Sequence, residues 1–454
     1  MLLLKTRYKK IHFVGIGGVG MSGIAEVLHN IGFIVSGSDI SRKDTTIRLE
    51  NLGIKVYYEH SVDNVLDKDI LVYSSAIGFD NPELLKAQEL GIPIIPRAEM
   101  LAEIMRVKFS IAVSGAHGKT TTTSMIGYAI RELEPTIIVG GILKGIEGTV
   151  KLGKSDFLVA EADESDRSFL RLFPSIAVIT NIDREHLDTY KNLIDIKRTF
   201  LEFANSVPFY GAVIINLDDI NNRDIIPFVE KRIITYGIDN NAFINARNIE
   251  IEDFGSSYKL YISNRFVSKV RLRVPGIHNI KNSLSAIAVA YDLDLELKSA
   301  IEGLYEFTGV RRRFEIKGYF GKSILIDDYG HHPTEIESVI NTARNYFKNK
   351  KLVVVFQPHR YTRTKFLYND FARVLSIADE VILLPIYSAG EKPIAGVSSE
   401  LIYNKLSEIS RDCKLFNDKS EVVEYLSKYK DAESVIITLG AGDVYKIAEL
   451  MVNS

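Results

Sequence analysis

The sequence lacks several features that would each point to a class of protein: multiple cysteines, a strong net charge and long apolar runs. Its 454 residues include one cysteine, Cys413, which excludes an intrachain disulfide framework and argues against a structural cysteine-rich metal site. A net charge of −2 gives no excess of positive charge for nucleic acid or an anionic membrane, so we expect neither as a partner. The apolar start, residues 1–4, is too short for a signal peptide, and no run approaches the ~18 apolar residues of a membrane span. We therefore expect a cytoplasmic protein, with a monomer and a homodimer both left open.

Composition and length predict a multidomain globular protein. Hydrophobic residues make up 46% and charged residues 25% of the chain, which is typical of soluble proteins with a sizeable core. A chain of 454 residues predicts about three domains. Apolar runs alternate with helix-compatible segments, which predicts an α/β fold with parallel sheets. Between about 231 and 275 the pattern changes to alternating apolar and polar residues, which predicts a small antiparallel part.

The stretch 114–123 has the sequence of a phosphate-binding loop. It follows the apolar run 111–113 and precedes a helix-compatible segment, and its pattern is Gly-x-x-Gly-Lys-Thr. Its glycines allow backbone N–H groups to close on an anion at the start of a helix. Lys119 would then reach the terminal phosphates, and the Thr120 hydroxyl would bind magnesium. Val113 stands where the longer P-loop pattern has a glycine, and the alternative is an ordinary turn before a Thr-rich helix.

A second glycine-rich stretch lies near the N-terminus. Residues 15–20 match Gly-x-Gly-x-x-Gly between a predicted strand, 11–14, and a predicted helix, 21–29. Asp39 follows the next strand near the distance expected for a ribose contact, so the pattern indicates a Rossmann-type site for a nucleotide diphosphate. The alternative is a glycine turn that only allows close packing of helix and strand.

Acidic and imidazole groups follow two further predicted strands. Glu161 begins the acidic stretch 161–166 after one strand, and His186 follows the strand 176–180. Carboxylates at strand ends suit a metal that accompanies ATP, and two divalent ions would neutralise phosphate charge during transfer. A histidine beside acids can equally be a surface group with no ligand.

The remaining polar motifs lie after residue 275. Asn279 and Asn282 precede an Ala-rich helix, and they either read an adenine edge or cap that helix. Arg360 and Arg363 are three residues apart after a predicted strand and could form a fork for a carboxylate. The basic run 311–313 is either a solvated hinge or the source of an arginine for the γ-phosphate.

Taken together, these motifs resemble the Mur ligases along nearly the whole chain. The matching stretches are residues 15–23, 118–123, 161–166, 181–190, 276–279, 312–315, 327–333 and 357–364. The resemblance implies an α/β protein of three domains: a Rossmann-like UDP-sugar domain over 1–106, a P-loop ATPase-like domain over 107–308, and a Rossmann-like amino-acid domain over 309–454. It also implies a peptidoglycan-precursor reaction, in which ATP converts the lactyl carboxylate of UDP-N-acetylmuramate to an acyl phosphate that L-alanine attacks.

Site residues follow from the resemblance position by position. For ATP it implies Gly115, Ala116, His117, Gly118, Lys119, Thr120, Thr121, Asn279, Asn282, Arg313 and Asp328. For the UDP-sugar it implies Gly15, Gly17, Gly18, Val19, Gly20, Asp39, Ser74, Ser75, Ala76 and Ile77. For the amino acid it implies Tyr329, His331, Arg360 and Arg363. The implied metal ligands are Thr120, Glu161 and His186, which would hold two Mg²⁺ ions, with Mn²⁺ as an alternative to Mg²⁺. The implied catalytic residues are Lys119, His186 and Arg313.

The sequence departs from the family pattern at several positions, and other functions are also compatible with some of its motifs. Ala116 replaces a usual threonine, Arg167 a small residue, and Glu185 an aspartate, while Lys197 lies roughly where sister ligases carry a carbamoylated lysine. An NAD(P)-dependent oxidoreductase would explain the first glycine motif but not the Lys119 loop or the last third. A non-catalytic nucleotide switch and the recycling ligase for a tripeptide are further alternatives, although the run 17–23 favours the alanine enzyme over the recycling one.

Overall fold

A computed structural model describes residues 6–74, 76–141, 148–186, 189–252, 254–409 and 412–452. Their contacts divide the chain into two compact units. The first comprises residues 1–249, 258–272 and 279–308, and the second comprises 250–257, 273–278 and 309–454. Within the described part of the chain, no helix is both long enough and apolar enough to cross a membrane.

Strands and helices alternate along most of the chain. The strands are β1 Lys10–Val14, β2 Ile34–Ser38, β3 Lys55–Tyr57, β4 Ile70–Tyr73, β5 Ile94–Pro96, β6 Phe109–Ser114, β7 Thr136–Ile138, β8 Val150–Lys151, β9 Phe157–Glu161, β10 Ile176–Ile179, β11 Ala212–Asn216, β12 Ile233–Gly237, β13 Ile244–Glu252, β14 Gly255–Ile262, β15 Arg265–Leu272, β16 Glu315–Phe320, β17 Ser323–Asp328, β18 Lys351–Phe356, β19 Glu380–Leu383, β20 Asp412–Leu415 and β21 Ser434–Leu439. The helices are α1 Val19–Asn30, α2 Asp44–Asn51, α3 Pro82–Glu89, α4 Arg97–Met105, α5 Lys119–Ala129, α6 Leu193–Asn205, α7 Ile220–Ile225, α8 Ile277–Asp292, α9 Leu297–Glu306, α10 Pro333–Tyr346, α11 Tyr361–Leu375, α12 Glu400–Glu408, α13 Lys419–Leu426 and α14 Tyr445–Val452.

The first sheet has the order β3-β2-β1-β4-β5, and all its described pairings are parallel. In β1, residues 11–14 are buried, as expected for a strand covered by helices on both faces. The strand order reverses between β1 and β4, so the loop after β1 lies at the topological switch point of the sheet. Ligands of open α/β sheets bind at such points.

The second sheet has the order β15-β14-β13-β12-β11-β10-β6-β9-β7-β8. Its central strands are parallel, with β6 between β10 and β9. Residues 111–113 of β6 are fully buried, as expected for a central strand of a parallel sheet. The loop between β6 and α5 therefore lies at the edge of the sheet where the carboxyl ends of three paired strands meet.

A tight turn accounts for the antiparallel part of this sheet. Ser263 and Asn264 have φ of 48° and 63° and join β14 to β15. Two consecutive residues with positive φ form the type I′ turn that matches the twist of an antiparallel hairpin. The antiparallel pairing predicted from the alternating pattern is thus confirmed for β14 and β15. The start of the predicted range is wrong, because β12, within 231–275, pairs in parallel with both β11 and β13.

The third sheet has the order β16-β17-β21-β18-β19-β20, in which β16 is antiparallel and the other strands are parallel. Strands β17 and β21 are buried throughout. The predicted fold class, with Rossmann-like first and last sheets around a P-loop ATPase-like centre, is confirmed. The predicted boundaries at 106/107 and 308/309 stay predictions, and the first two sheets belong to one compact unit.

Helix α5, which starts at Lys119, packs closely against α9. A Cβ on Gly303 of α9 would lie 2.2 Å from the carbonyl oxygen of Tyr128, so only glycine allows the two helices to approach this closely. The ring of Tyr128 also packs edge-on against Phe307, with centroids 5.5 Å apart. This packing fixes the helix whose N-terminus carries the phosphate-loop lysine.

Candidate active site

The loop between β6 and α5 has the backbone that its glycines predict. Gly115 has φ of 138°, and Gly118, the N-cap of α5, has φ of 82°. Residues other than glycine are strained at such positive φ values. At Gly115 the space is closed as well, because a Cβ there would lie 2.0 Å from Thr180 Oγ1. The backbone N–H groups at the start of α5 are thereby presented beside Lys119.

The end of β10 holds this loop in place. Asn181 Oδ1 accepts the His117 N–H at 2.8 Å, and Asn181 Nδ2 donates to the His117 carbonyl at 3.0 Å. Thr180 Oγ1 donates to the same carbonyl at 2.7 Å. The His117 ring lies 3.0 Å from Asp183 Oδ2. These bonds fix the loop before any ligand arrives, so less conformational entropy is lost on binding.

Thr120 and Glu161 meet at the ends of α5 and β9, as the metal prediction requires. Thr120 Oγ1 donates to Glu161 Oε2 at 2.9 Å, and the Gly140 N–H donates to the same oxygen at 2.7 Å. Val113 and Glu161 are register partners on neighbouring parallel strands, which explains the proximity. A hydroxyl and a carboxylate in contact are oxygen ligands of the kind Mg²⁺ prefers.

Lys119 is held by an acidic residue that the sequence did not single out. Its Nζ donates to the carbonyls of Gly115 at 2.7 Å and Ala116 at 3.2 Å, and lies 2.9 Å from Glu164 Oε1. Burial alone would lower the pKa of Lys119. The negative charges of Glu164 and its acidic neighbours outweigh that effect and raise the pKa above its ordinary value. Lys119 is therefore charged at any physiological pH.

Glu164 also joins a second cluster with His186 and Glu185. His186 Nε2 lies 3.3 Å from Glu164 Oε1 and 3.7 Å from Glu185 Oε2. One donor atom from each of the three residues lies within 4.8 Å of the others, a spacing that suits one cation. Burial would lower the pKa of His186, but the hydrogen bond and charge of Glu164 outweigh it and raise the pKa.

Asn279 and Asn282 are brought to the phosphate loop. Both are buried at the start of α8, where Asn282 Nδ2 donates to Asn279 Oδ1 at 3.2 Å. A Cβ on Gly118 would lie 3.1 Å from Asn282 Oδ1, so this amide packs directly on the loop. Their predicted contact with the nucleotide base stays a prediction.

The first glycine loop uses its N–H groups within the protein. Gly15 and Ile16 both donate to the Ser38 carbonyl, at 2.8 and 2.9 Å, and Gly17 donates to Asp39 Oδ2 at 3.0 Å. Asp39 is 6% exposed, and its other oxygen accepts the N–H of Ser41. The carboxylate predicted to contact a ribose thus also fixes the shape of the loop.

Neighbouring strands bring further predicted UDP-sugar residues to this loop. A Cβ on Gly15 would lie 3.3 Å from Ile77 and 3.4 Å from Ser74, which follow β4. Ala76 donates its N–H to Ser74 Oγ at 3.4 Å, whereas Ser75 lies outside the described residues. Gly18 donates its N–H to the Gly15 carbonyl at 3.2 Å, and Val19 begins α1.

Arg97, which the predicted UDP-sugar site omitted, lies over Gly20 in α1. Its Nη1 is 2.8 Å from the position of a Cβ on Gly20, and its Nη2 is 3.9 Å from Asp163 Oδ2. Burial would raise the pKa of Asp163, but the charge of Lys119 and, to a smaller extent, that of Arg97 lower it. A guanidinium beside the N-terminus of α1 is suited to a phosphorylated ligand.

The second compact unit carries Arg313 and Asp328. Arg313 Nη1 lies 3.4 Å from Glu335 Oε1, and its guanidinium lies over the Tyr329 ring. Asp328 accepts the N–H groups of Phe314 and Gly330, both at 2.6 Å. Its burial raises its pKa to about 6 despite the nearby Arg313 charge. Their predicted contacts with ATP stay predictions.

The residues predicted to bind the amino acid are linked by a histidine that the sequence did not indicate. His359 lies 5.6 Å, ring to ring, from both His331 and Tyr387, and Arg363 Nη1 lies 3.2 Å from its Nδ1. Burial and the charges of His331 and Arg363 lower the pKa of His359 to about 3, so its ring is neutral. Tyr329 packs on His331 at 5.5 Å.

Arg360 and Arg363 differ in how they are anchored. Arg360 has φ of 72° and precedes α11, and its backbone N–H donates to the Tyr387 carbonyl at 2.8 Å. Arg363 donates to the His359 carbonyl at 3.3 Å as well as approaching that ring. The structure therefore fixes the Arg360 backbone and the Arg363 side chain, both within the second unit.

Family models match the chain in three consecutive segments. Residues 10–109 match the Mur ligase family catalytic domain, residues 113–290 the Mur ligase middle domain, and residues 312–442 the Mur ligase glutamate ligase domain. Together these segments cover most of the chain, in the order that the sequence motifs predicted.

Individual relatives match over nearly the full length. The UDP-N-acetylmuramate–L-alanine ligases of Geobacter sp. (strain M21) and Desulfosudis oleivorans are 46% and 48% identical, over 98% and 97% of this chain and 97% of each relative. The crystal structure of the UDP-N-acetylmuramate–alanine ligase of Thermotoga maritima is 30% identical, covers 98% of both chains and has a TM-score of 0.83. The murein peptide ligase of Psychrobacter arcticus, 21% identical with a TM-score of 0.71, shares the fold. The chain therefore belongs to the Mur ligase family.

Proposed function

We propose that the protein is an ATP-dependent ligase that joins L-alanine to the lactyl carboxylate of UDP-N-acetylmuramate in peptidoglycan precursor synthesis. The products are UDP-N-acetylmuramoyl-L-alanine, ADP and phosphate. The main structural support is the contact of Thr120 with Glu161 beside Lys119, because a hydroxyl, a carboxylate and an ammonium at a helix N-terminus suit a magnesium triphosphate. Relatives at 46–48% identity carry the name of this activity.

Phosphorylation solves the chemical problem of this reaction. A carboxylate is a poor acylating agent, so one of its oxygens attacks the γ-phosphorus of ATP and ADP leaves. The amine of L-alanine then attacks the acyl carbon and loses a proton, and phosphate leaves as the amide bond forms. Lys119 and the N–H groups at the start of α5 offset the negative charge that accumulates on the phosphoryl oxygens.

The residues at the site fit divalent cations. Thr120 and Glu161 would hold one ion, and His186 would hold a second. When bound, Mg²⁺ neutralises phosphate charge during transfer. Among the described residues, Glu164 Oε2 is buried without a hydrogen-bond partner, which is costly for a carboxylate oxygen and supports a cation next to His186.

Two further regions would bind the other substrates. The loop 15–20, with Asp39 and residues 74–77, is the proposed UDP-sugar site, and Arg97 adds a positive charge beside it. The second unit would bind L-alanine, with Arg360 and Arg363 for its carboxylate and Tyr329 and His331 beside them.

Product analysis tests the whole proposal. Purified protein is incubated with ATP, magnesium, UDP-N-acetylmuramate and an equimolar mixture of alanine, serine, glycine and the recycling tripeptide. We expect phosphate release only with both the sugar and an amino acid, and a product whose mass corresponds to addition of one alanine. Phosphate release from ATP alone, or a tripeptide product, would contradict the proposal.

A further inference from the structure

Lys119 has no spare hydrogen-bond donor in this structure. An ammonium group carries three donors. Its Nζ contacts three acceptors, the Gly115 carbonyl, the Ala116 carbonyl and Glu164 Oε1, at 2.7, 3.2 and 2.9 Å. To bind a phosphate oxygen, Lys119 must release at least one of these partners.

Glu164 is the charged partner among the three and the costliest to leave behind. Its side chain is 3% exposed, and a buried carboxylate that loses its cation is strongly destabilised. Lys119 can therefore leave Glu164 at low cost only if another positive charge replaces it there.

The surroundings of Glu164 offer a place for that second positive charge. His186 Nε2 lies 3.3 Å from the oxygen that Lys119 contacts, and Glu185 contributes another carboxylate within the 4.8 Å cluster. Among the described residues, the second oxygen of Glu164 has no hydrogen-bond partner although the residue is only 2% exposed. That oxygen is an acceptor available to a cation without breaking a bond.

We propose that Glu164 is a positioning residue that exchanges partners: it holds Lys119 before ligands bind, and it releases Lys119 to the nucleotide when a divalent cation binds with His186 and Glu185. The exchange couples the two ligands, because the cation removes the attraction that retains Lys119. By linkage, ATP then raises the affinity for the cation by the same factor. This inference rests on the proposed ATP-dependent reaction.

Two binding measurements on the full-length protein test the exchange. The first is the affinity for a non-hydrolysable ATP analogue in EDTA, and the second is the affinity for Mn²⁺ without nucleotide, followed by electron paramagnetic resonance. In Glu164→Gln we expect about tenfold tighter analogue binding in EDTA, because Lys119 is no longer retained, and about tenfold weaker Mn²⁺ binding. His186→Ala should weaken Mn²⁺ binding only, since it leaves the contact between Lys119 and Glu164 in place.

Asp166→Asn is the matched control, because Asp166 is an exposed carboxylate two residues from Glu164 and should change neither affinity. Analogue binding in EDTA that stays the same or weakens in Glu164→Gln would overturn the exchange, as would unchanged Mn²⁺ binding. If wild-type protein failed to bind the analogue even with magnesium, the proposed ATP-dependent function itself would be wrong. Normal magnesium-dependent binding together with an unresponsive Glu164→Gln variant would refute the exchange alone.

Discussion

Asp39 Oδ2 accepts the backbone N–H of Gly17 at 3.0 Å, so a side chain after β2 fixes the loop after β1. We predict that Asp39→Ala raises the KM for UDP-N-acetylmuramate about tenfold, because the loop loses its fixed shape and a buried donor loses its partner. The KM for ATP should change little. Steady-state phosphate release with each substrate varied in turn measures both values.

Asp44→Ala is a suitable control for Asp39, because Asp44 is an exposed carboxylate at the start of α2. Equal increases in the two KM values would indicate general damage to the first unit and contradict a specific role of Asp39 in the sugar-nucleotide loop.

Lys119→Ala should abolish turnover while the protein still folds, at a reduced stability because the buried Glu164 carboxylate loses its partner. The substitution removes the one charge at the tip of the phosphate loop, and we expect kcat to fall by about a thousandfold or more. Phosphate release gives the rate, and circular dichroism checks folding. Lys154→Ala, which removes an 85% exposed lysine of the same unit, should behave as wild type. Near-normal turnover of the Lys119 variant would remove the proposed ATP site.

Arg363→Ala should raise the KM for L-alanine much more than the KM for ATP. The side chain is held beside the neutral His359 ring, where its guanidinium can pair with a carboxylate. We expect a change of about a hundredfold for alanine, measured at saturating ATP and UDP-sugar. Arg373→Ala on the same helix, whose side chain is 60% exposed, is the control. Parallel changes in both KM values would count against the amino-acid pocket.

Glu83 predicts a specific dependence of stability on pH. Its buried carboxylate accepts hydrogen bonds from Ser38 Oγ at 2.5 Å and Asn64 Nδ2 at 2.6 Å, and lies near His12. Burial would raise its pKa, but these partners, His12 first, lower it from 4.5 to about 2. A carboxyl pKa lowered on folding stabilises the protein above pH 4.5, and that stabilisation is lost as the pH falls from 4.5 towards 2.

The shift at Glu83 corresponds to about 3 kcal/mol at neutral pH. Glu83→Gln should therefore lower the free energy of unfolding at pH 7 by this order, and its difference from wild type should shrink between pH 4.5 and pH 2. Urea denaturation at several pH values measures the effect, with the exposed Glu89→Gln of the same helix as control. A difference that stays constant across this range would show that the Glu83 carboxylate is not stabilised in the folded state.

Much of the fold was predictable because strands of parallel sheets are apolar on both faces. The run 111–113 and the glycine-rich residues after it define a strand, a turn and a helix start without further information. The two-residue turn at 263–264 was not identified, although the alternation on either side predicted the antiparallel strands that it joins. Strand order was not predictable, since sequence does not state that β10 and β9 flank β6.

Site residues from one local motif were easier to predict than residues that act across strands. Lys119 and Thr120 follow from their own loop, whereas the roles of Glu164 and Asn181 depend on which strands are neighbours. Glu164 stood within a predicted acidic stretch, but only the turn after β9 decides which of its acids meets the lysine. The role of His359 likewise could not be predicted without knowing that its ring packs against Tyr387.

The placement of β6 between β9 and β10 has a consequence for how the site is lost on unfolding. Lys119, Glu161 and Asn181 are each attached to one of three strands that are hydrogen-bonded side by side. Amide hydrogens of these strands should exchange with solvent only in a single cooperative opening. Each molecule would then carry either the complete phosphate site or no phosphate site at all. Molecules in which these strands have opened would be inactive, and they would not retain a slow or altered activity.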